Sequence, residues 1–253
     1  MSNAISIPSQ DEMVQKFEIF NPASDLATVR RESGGERIRL SELIKVKIPT
    51  GGSTIWNIDT DAGVEATPSI VGVLCCVLSE GVLWPHEGDA GGGQRPVLTT
   101  QDLTTARRVG DDLGDISQAE LDRCANPDGT IRWRELSYTQ FGSASKGKGC
   151  RAKESRILVI LRPGEVMPVL VSCPPGSLAT VVPWVKRFGM SQYRHVVSLS
   201  LQKISFERGS YSQIVPTIVA KLTPEQGEVI RAAYYAPIMA EFAAAPVAES
   251  VPF

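Results

Sequence analysis

Residues 128–170 read DGTIRWRELSYTQFGSASKGKGCRAKESRILVILRPGEVMPVL. Trp133, Tyr138 and Phe141 come first, set among Arg132 and Arg134. A glycine-serine turn follows that carries Lys146, Lys148, Arg151, Lys153 and Arg156. The unbroken apolar run 157–161 then has the length and β-branched content of a buried strand. Between positions 132 and 162 there are eight Lys/Arg and two acids, Glu135 and Glu154. Cations interleaved with aromatic rings beside a strand suit a single-stranded nucleic acid, whose phosphates need positive charge and whose unstacked bases need π-faces. The same residues also read as a solvated basic loop joining two strands.

The chain around this stretch has 253 residues, enough for one large domain or two small ones with a proper core. Its net charge of −2 excludes duplex binding driven by bulk charge, but not a basic groove on an acidic body. No apolar run reaches the length of a membrane span, and residues 1–13 lack the charged and apolar regions of a signal peptide. A cytoplasmic protein is the expectation. The five cysteines, at 75, 76, 124, 150 and 173, fit neither a CxxC pair nor a disulfide framework. Cys75 and Cys76 sit in an apolar run as small hydrophobes. Cys124 and Cys150 flank the aromatic-basic stretch, but two ligands fall short of the four of a structural zinc site.

Outward from the centre, strands dominate. Residues 55–58 and 68–84 read as strands, the second with a turn at Glu80-Gly81 and a stop at Trp84-Pro85. Trp56 and Trp84 read as core, with base stacking as the other reading of both. Residues 86–130 read as an irregular insertion, with a short helix over 100–108 begun by Thr99 or Thr100. Its acids Asp111, Asp112, Asp115, Glu120 and Asp122 face only Arg123. Residues 166–171 predict a strand, and Pro174-Pro175-Gly176 breaks it. A short helix follows from Ser177 with Pro183 inside it, stopped at Gly189. Residues 193–207 and 211–221 predict a hairpin turning at Gly209-Ser210, and Thr223-Pro224-Glu225-Gln226 starts a last helix.

The fold class that follows is mainly β (α+β): an OB-like barrel with a long loop insertion and two or three short helices. It divides as an N-terminal lead (1–34), one β-rich domain (35–240, insertion 86–130) and a flexible tail (241–253). GxSxG, Walker and HExxH motifs are all absent from the sequence. Asp111, Asp112 and Asp115 lie in a loop rather than on rigid strands. Pairings of Cys150 or Cys173 with His86 or His195 stay open. The expectation is a non-enzymatic protein with no cofactor.

Two resemblances add to this reading. GERIRLSELIKVKIPTGGSTIW (35–56), the 72–84 strand, TQFGS (139–143), GKGC (147–150), LRPGEVMP (161–168) and PPGS (174–177) together resemble an uncharacterised family of phage and mobile-element proteins associated with replication. That family's insert carries four cysteines spaced like a zinc knuckle, of which this sequence keeps Cys124 and Cys150. Separately, ESVPF (249–253) resembles the tip of bacterial single-stranded DNA-binding proteins, where a terminal Pro-Phe docks on replication and repair partners. The resemblance implies a partner contact at Val251, Pro252 and Phe253. The expected function is single-stranded DNA binding in replication or recombination of a phage or mobile element, in a bacterial cell. In that role Trp133, Tyr138 and Phe141 stack bases. Arg132, Arg134, Lys146, Lys148, Arg151, Lys153 and Arg156 meet phosphates. A phage-encoded protein-interaction module that inhibits a host nuclease or defence complex is the alternative.

Overall fold

The computed structural model describes residues 39–60, 63–87, 95–145, 149–189, 191–207 and 209–244. The N-terminal lead 1–34, Lys146, Lys148 and the terminal Val251, Pro252 and Phe253 lie outside the described residues. Strand is the dominant structure. In chain order the elements begin with β1 (Lys45–Val46), β2 (Trp56–Thr60), β3 (Gly63–Thr67) and β4 (Ser69–Leu83). Then come β5 (Leu98–Thr100), β6 (Thr105–Arg108), helix α1 (Gln118–Cys124) and β7 (Ile131–Arg132). After β8 (Lys153–Leu161) and β9 (Val169–Cys173) the chain forms α2 (Pro175–Val185) and the hairpin β10 (His195–Phe206) and β11 (Gly209–Lys221). It closes with α3 (Pro224–Ile230), a π-turn (Arg231–Tyr235) and α4 (Ala236–Ala244). Among the described residues no helix is long and apolar enough to cross a membrane.

Two compact units share these elements, with β4 and β8 passing from one into the other. The first takes the described residues up to Val77 and Leu158–Met239. Its strands run β1-β9-β8-β4, with β10 antiparallel to the start of β4 and β11 antiparallel to β10. β1 pairs in parallel with β9, so the sheet is mixed. Among the described residues no sheet closes on itself. The near-continuous burial of β4, β8 and β9 shows both faces covered, which is why they read as unbroken apolar runs. One face packs Leu74, Leu158, Ile160, Val171 and Leu199 against Trp56 of the β2–β3 hairpin and Val181 and Trp184 of α2. Buried Trp56 donates its indole N–H to the Leu199 carbonyl (2.9 Å). Gly72 lies in the same row as Ile70 and Leu74. A Cβ there would drive into the Leu161 carbonyl and come within 2.6 Å of the Ile160 side chain.

The exposed edge of the hairpin is managed by side chains. Among the described residues β11 pairs only with β10. The Ile214 N–H, pointing outward, donates to Ser177 Oγ (3.1 Å), and Thr180 Oγ1 of α2 donates to the Ile214 carbonyl (2.7 Å). Two residues on, Pro216 has no N–H to offer, and an edge strand is where proline is tolerated. Pro183 sits inside α2, yet the helix runs on to Val185 before a 3-10 turn ends at Gly189 (φ 55°). Thr223 and Gln226 form the capping box that opens α3.

The second unit, Leu78–Ile157 with the described residues after Met239, corrects three expectations. Residues 95–130 are not irregular, because β5, β6 and α1 fall within them. The region 100–108 is a hairpin rather than a helix. Thr100 Oγ1 accepts from Leu103 N (3.0 Å), and Asp102 Oδ1 accepts from Thr104 N and Thr105 N (2.7 Å each). These side-chain turns compete with helix, and they set buried Leu103 at φ 58°. Finally, β4 passes straight through Glu80-Gly81. Gly81 is there for clearance, since a Cβ would stand 2.6 Å from the Trp133 ring and from Thr100. At the other end of the chain, α4 continues to Ala244, so order extends past the expected start of the tail at 241.

Candidate nucleic-acid interface

The aromatic-basic stretch lies in the second unit, and its local backbone decides which side chains reach solvent. A 3-10 turn at Trp133–Glu135 brings Trp133 and Leu136 to the same side, and both are fully buried with Leu83, Leu98 and Ile131. Trp133 therefore stacks on the core, not on a base. Its indole N–H donates to Glu154 Oε1 (2.9 Å), which satisfies the one polar atom of the ring. Tyr138 is half-buried on the same cluster, with its hydroxyl accepting from Ser117 N (2.8 Å) at the start of α1. Two of the three expected stacking rings are thus structural.

The expected phosphate contacts divide in the same way. Arg151 is buried and acts as a strut: its Nη2 reaches the Trp84 and Pro85 carbonyls (2.8 and 3.0 Å) and Asp115 Oδ1 (2.7 Å). Arg132 spends its guanidinium on the carbonyls of Arg123 and Ala125 (2.9 and 2.8 Å) and on Glu135 (2.8 Å). Buried Arg151 cannot meet a phosphate without giving up these bonds, and Arg132 is largely committed to its own chain. Half-buried Arg156 donates to the Ser155 carbonyl (3.0 Å). Arg134 is different: it touches Glu154 (2.9 Å) but its side chain is mostly in solvent. Lys153 is exposed, with Nζ on the Cys150 carbonyl (2.8 Å).

Phe141 is 83% exposed on a turn held from several sides. Gly142 adopts φ 95°, the left-handed region that glycine enters without penalty, and its N–H donates to the Gly149 carbonyl (2.8 Å). Ser143 Oγ donates to the carbonyls of Tyr138 and Gln140 and accepts from Arg151 N (2.9 Å). Ala152 N donates to the Tyr138 carbonyl (2.9 Å). Ser145 N donates to Glu87 Oε2 (2.6 Å), and this hydrogen bond holds the Glu87 carboxyl below its usual range. The loop therefore has fixed roots, and the ring at its start is presented rather than tucked away.

The acids expected to form an open patch are used as braces. Glu120 accepts from Arg123 (2.8 and 3.1 Å) and from Ser137 N (2.7 Å), which ties α1 to the next turn. The Arg123 bonds, then that of Ser137, bring its carboxyl down to about 2. Asp115 holds Arg151, and Asp112 accepts from Gly114 N (2.9 Å). Cys124 is fully buried in the core while Cys150 is partly exposed. Among the described residues no group of three or more His, Cys, Asp and Glu could hold a metal ion.

A second aromatic feature lies in the first unit, where sequence reasoning placed no site. Phe206 (57% exposed) and Tyr211 flank the β10–β11 turn with ring centroids 6.3 Å apart. The signal was available as two aromatics bracketing a Gly-Ser turn. Comparison with family models, with curated proteins and with solved structures finds no match to this chain.

Proposed function

We propose that the chain is a non-enzymatic single-stranded DNA-binding protein of a phage or mobile element, acting in replication or recombination inside a bacterial cell. The observation that carries this reading is Phe141. A large aromatic ring left 83% exposed on a turn with this many hydrogen bonds costs solvation, and a stacked base recovers it. Arg134 and Lys153, both exposed in the same unit, supply charge for the flanking phosphates, joined by Lys146 and Lys148 of the loop. The finer architecture we attach to this reading is an OB-like platform, a sheet whose loops carry the strand-binding groups.

Substituting Phe141→Ala tests the proposal. Loss of one stacked base lowers affinity by about 1–3 kcal/mol. Removing Arg134 and Lys153 together flattens the dependence of log K on log salt by about 1.4, at about 0.7 per cation on a single strand. A labelled oligonucleotide that binds the F141A protein as tightly as the parent sinks the reading.

One observation favours the second reading, a protein-interaction module that inhibits a host nuclease or defence complex. Arg132, Arg134 and Arg151 all sit on carboxylates of their own chain, which leaves less charge for phosphates than the sequence suggests. An exposed phenylalanine then serves as the anchor of a protein contact. Salt-insensitive capture of a host complex, lost in F141A, distinguishes this outcome.

A further inference from the structure

The first unit holds an aromatic-cationic cluster at the foot of β10, where the 3-10 turn Gln192–Arg194 meets α3 and the π-turn after it. Gly227, inside α3, is buried, and a Cβ there would collide with Cγ of Arg194. Glycine is among the poorest helix formers, so its place mid-helix makes sense as the seat for that side chain. The seat is not completed by the protein: Nε of Arg194 is buried without a hydrogen-bond partner among the described residues. An Nε without an acceptor in the protein marks a guanidinium that the fold does not saturate.

The aromatic half comes from the π-turn. The extra residue in the turn separates two adjacent tyrosines. Tyr234 points inward, its hydroxyl donating to the Val166 carbonyl (2.8 Å), and Tyr235 meets Tyr193 with ring centroids 5.5 Å apart. Such π-bulges collect at functional sites. Both rings are partly exposed. Arg231 opens the same turn that Tyr235 closes, and Glu228 raises its pKa. Its pair with Glu228 (3.0 Å) is solvent-exposed on both sides and readily exchanged. Glu225, whose carboxyl is lowered chiefly by a backbone hydrogen bond and slightly by Arg194, is the other acid nearby. Lys221, paired with His195 across the hairpin, adds to the cationic side, while burial lowers the pKa of the imidazole itself.

We infer that Tyr193, Arg194, Arg231 and Tyr235 form a second contact for single-stranded DNA, with a base against the tyrosine pair and phosphate oxygens on Arg194 and Arg231. Two cations around an aromatic pair complement a nucleotide, with its one charge and one flat ring. The inference rests on the proposed single-strand binding but uses none of the same residues.

Photo-crosslinking of the unmodified full chain to a thymidine oligonucleotide bearing 5-iododeoxyuridine tests it without relying on a variant that folds. The expected adducts lie on the peptides of Tyr193 or Tyr235. R194Q, which keeps much of the aliphatic stem over Gly227, lowers affinity about five- to ten-fold and flattens the salt slope by about 0.7. Adducts found only elsewhere, at Phe141 or at Phe206 and Tyr211, overturn this inference and leave the proposed function standing. An unchanged salt slope in R194Q overturns it too, because a merely structural arginine would shift stability and not counterion release. Failure of the unmodified protein to bind any single strand sinks both.

Discussion

Trp133 and Phe141 are eight positions apart in one aromatic-basic stretch, and the fold gives them opposite exposure. Trp133→Ala deletes a fully buried indole from the core of the second unit and leaves Glu154 without one of its donors. Large aromatic deletions of this kind cost about 3–5 kcal/mol. Trp133→Phe keeps most of the packing, loses the hydrogen bond to a carboxylate, and costs about 2 kcal/mol. Phe141→Ala removes a ring already in solvent, and its stability cost stays within about 0.5 kcal/mol. Urea unfolding followed by circular dichroism gives the stabilities, and oligonucleotide anisotropy under fully native conditions gives affinities. The expected pattern is a double dissociation: W133F unfolds earlier and binds normally, F141A unfolds normally and binds weakly. Refutation would be a W133F protein of parental stability that no longer binds, since that would put the indole at the ligand.

Three further outcomes follow from the same structure. The Glu120 carboxyl sits at about 2 when folded and near 4.5 when unfolded, so its contribution is complete above pH 4.5 and is lost as pH falls toward 2. After solvent screening this is about 1 kcal/mol, and E120Q should show an acid-unfolding profile flatter by that amount between pH 5 and 2. Gly72→Ala pushes a methyl into the Leu161 carbonyl and Ile160, and calorimetry should find it destabilised by about 1–3 kcal/mol, whereas an unchanged melting temperature would mean that β8 yields. Of the five cysteines four are buried, with the Cys75 thiol pushed up to about 12, so a thiol reagent should label Cys150 quickly and the other four only after denaturation.

Strands were legible in the sequence wherever the apolar pattern was strong. Residues 157–161, the hairpin around Gly209, the proline-opened helix after Thr223 and the stop at Gly189 all fall where composition and turn chemistry put them. The errors share a cause, which is that burial is a property of partners distant in sequence. Glu80-Gly81 looks like a turn until Trp133 is known to need the space over Gly81. Thr100-Gln101-Asp102 looks like a helix start, yet the same hydroxyl and carboxylate close a β-turn just as well. In the candidate site, charge was visible but its neutralisation was not. Asp115 lies 36 residues from Arg151 and Glu154 lies 20 from Arg134, separations that no local window reports. Phe141 reaches solvent at the glycine-serine turn that follows it. Tyr235 went unnoticed because helical spacing offers no sign of a π-turn.

The side chains that guard β11 bear on how copies of this protein could meet one another. Adding a strand to another sheet's exposed edge is an undemanding way for two chains to associate. Here Ser177 and Thr180 already occupy the hydrogen-bonding groups of Ile214, and Pro216 presents no donor two residues further on. A neighbour approaching that stretch of β11 would have to displace α2 before it gained a single backbone bond. Loosening Ser177 and Thr180 would free the Ile214 N–H and carbonyl for a foreign strand and make edge-to-edge association easier at that point.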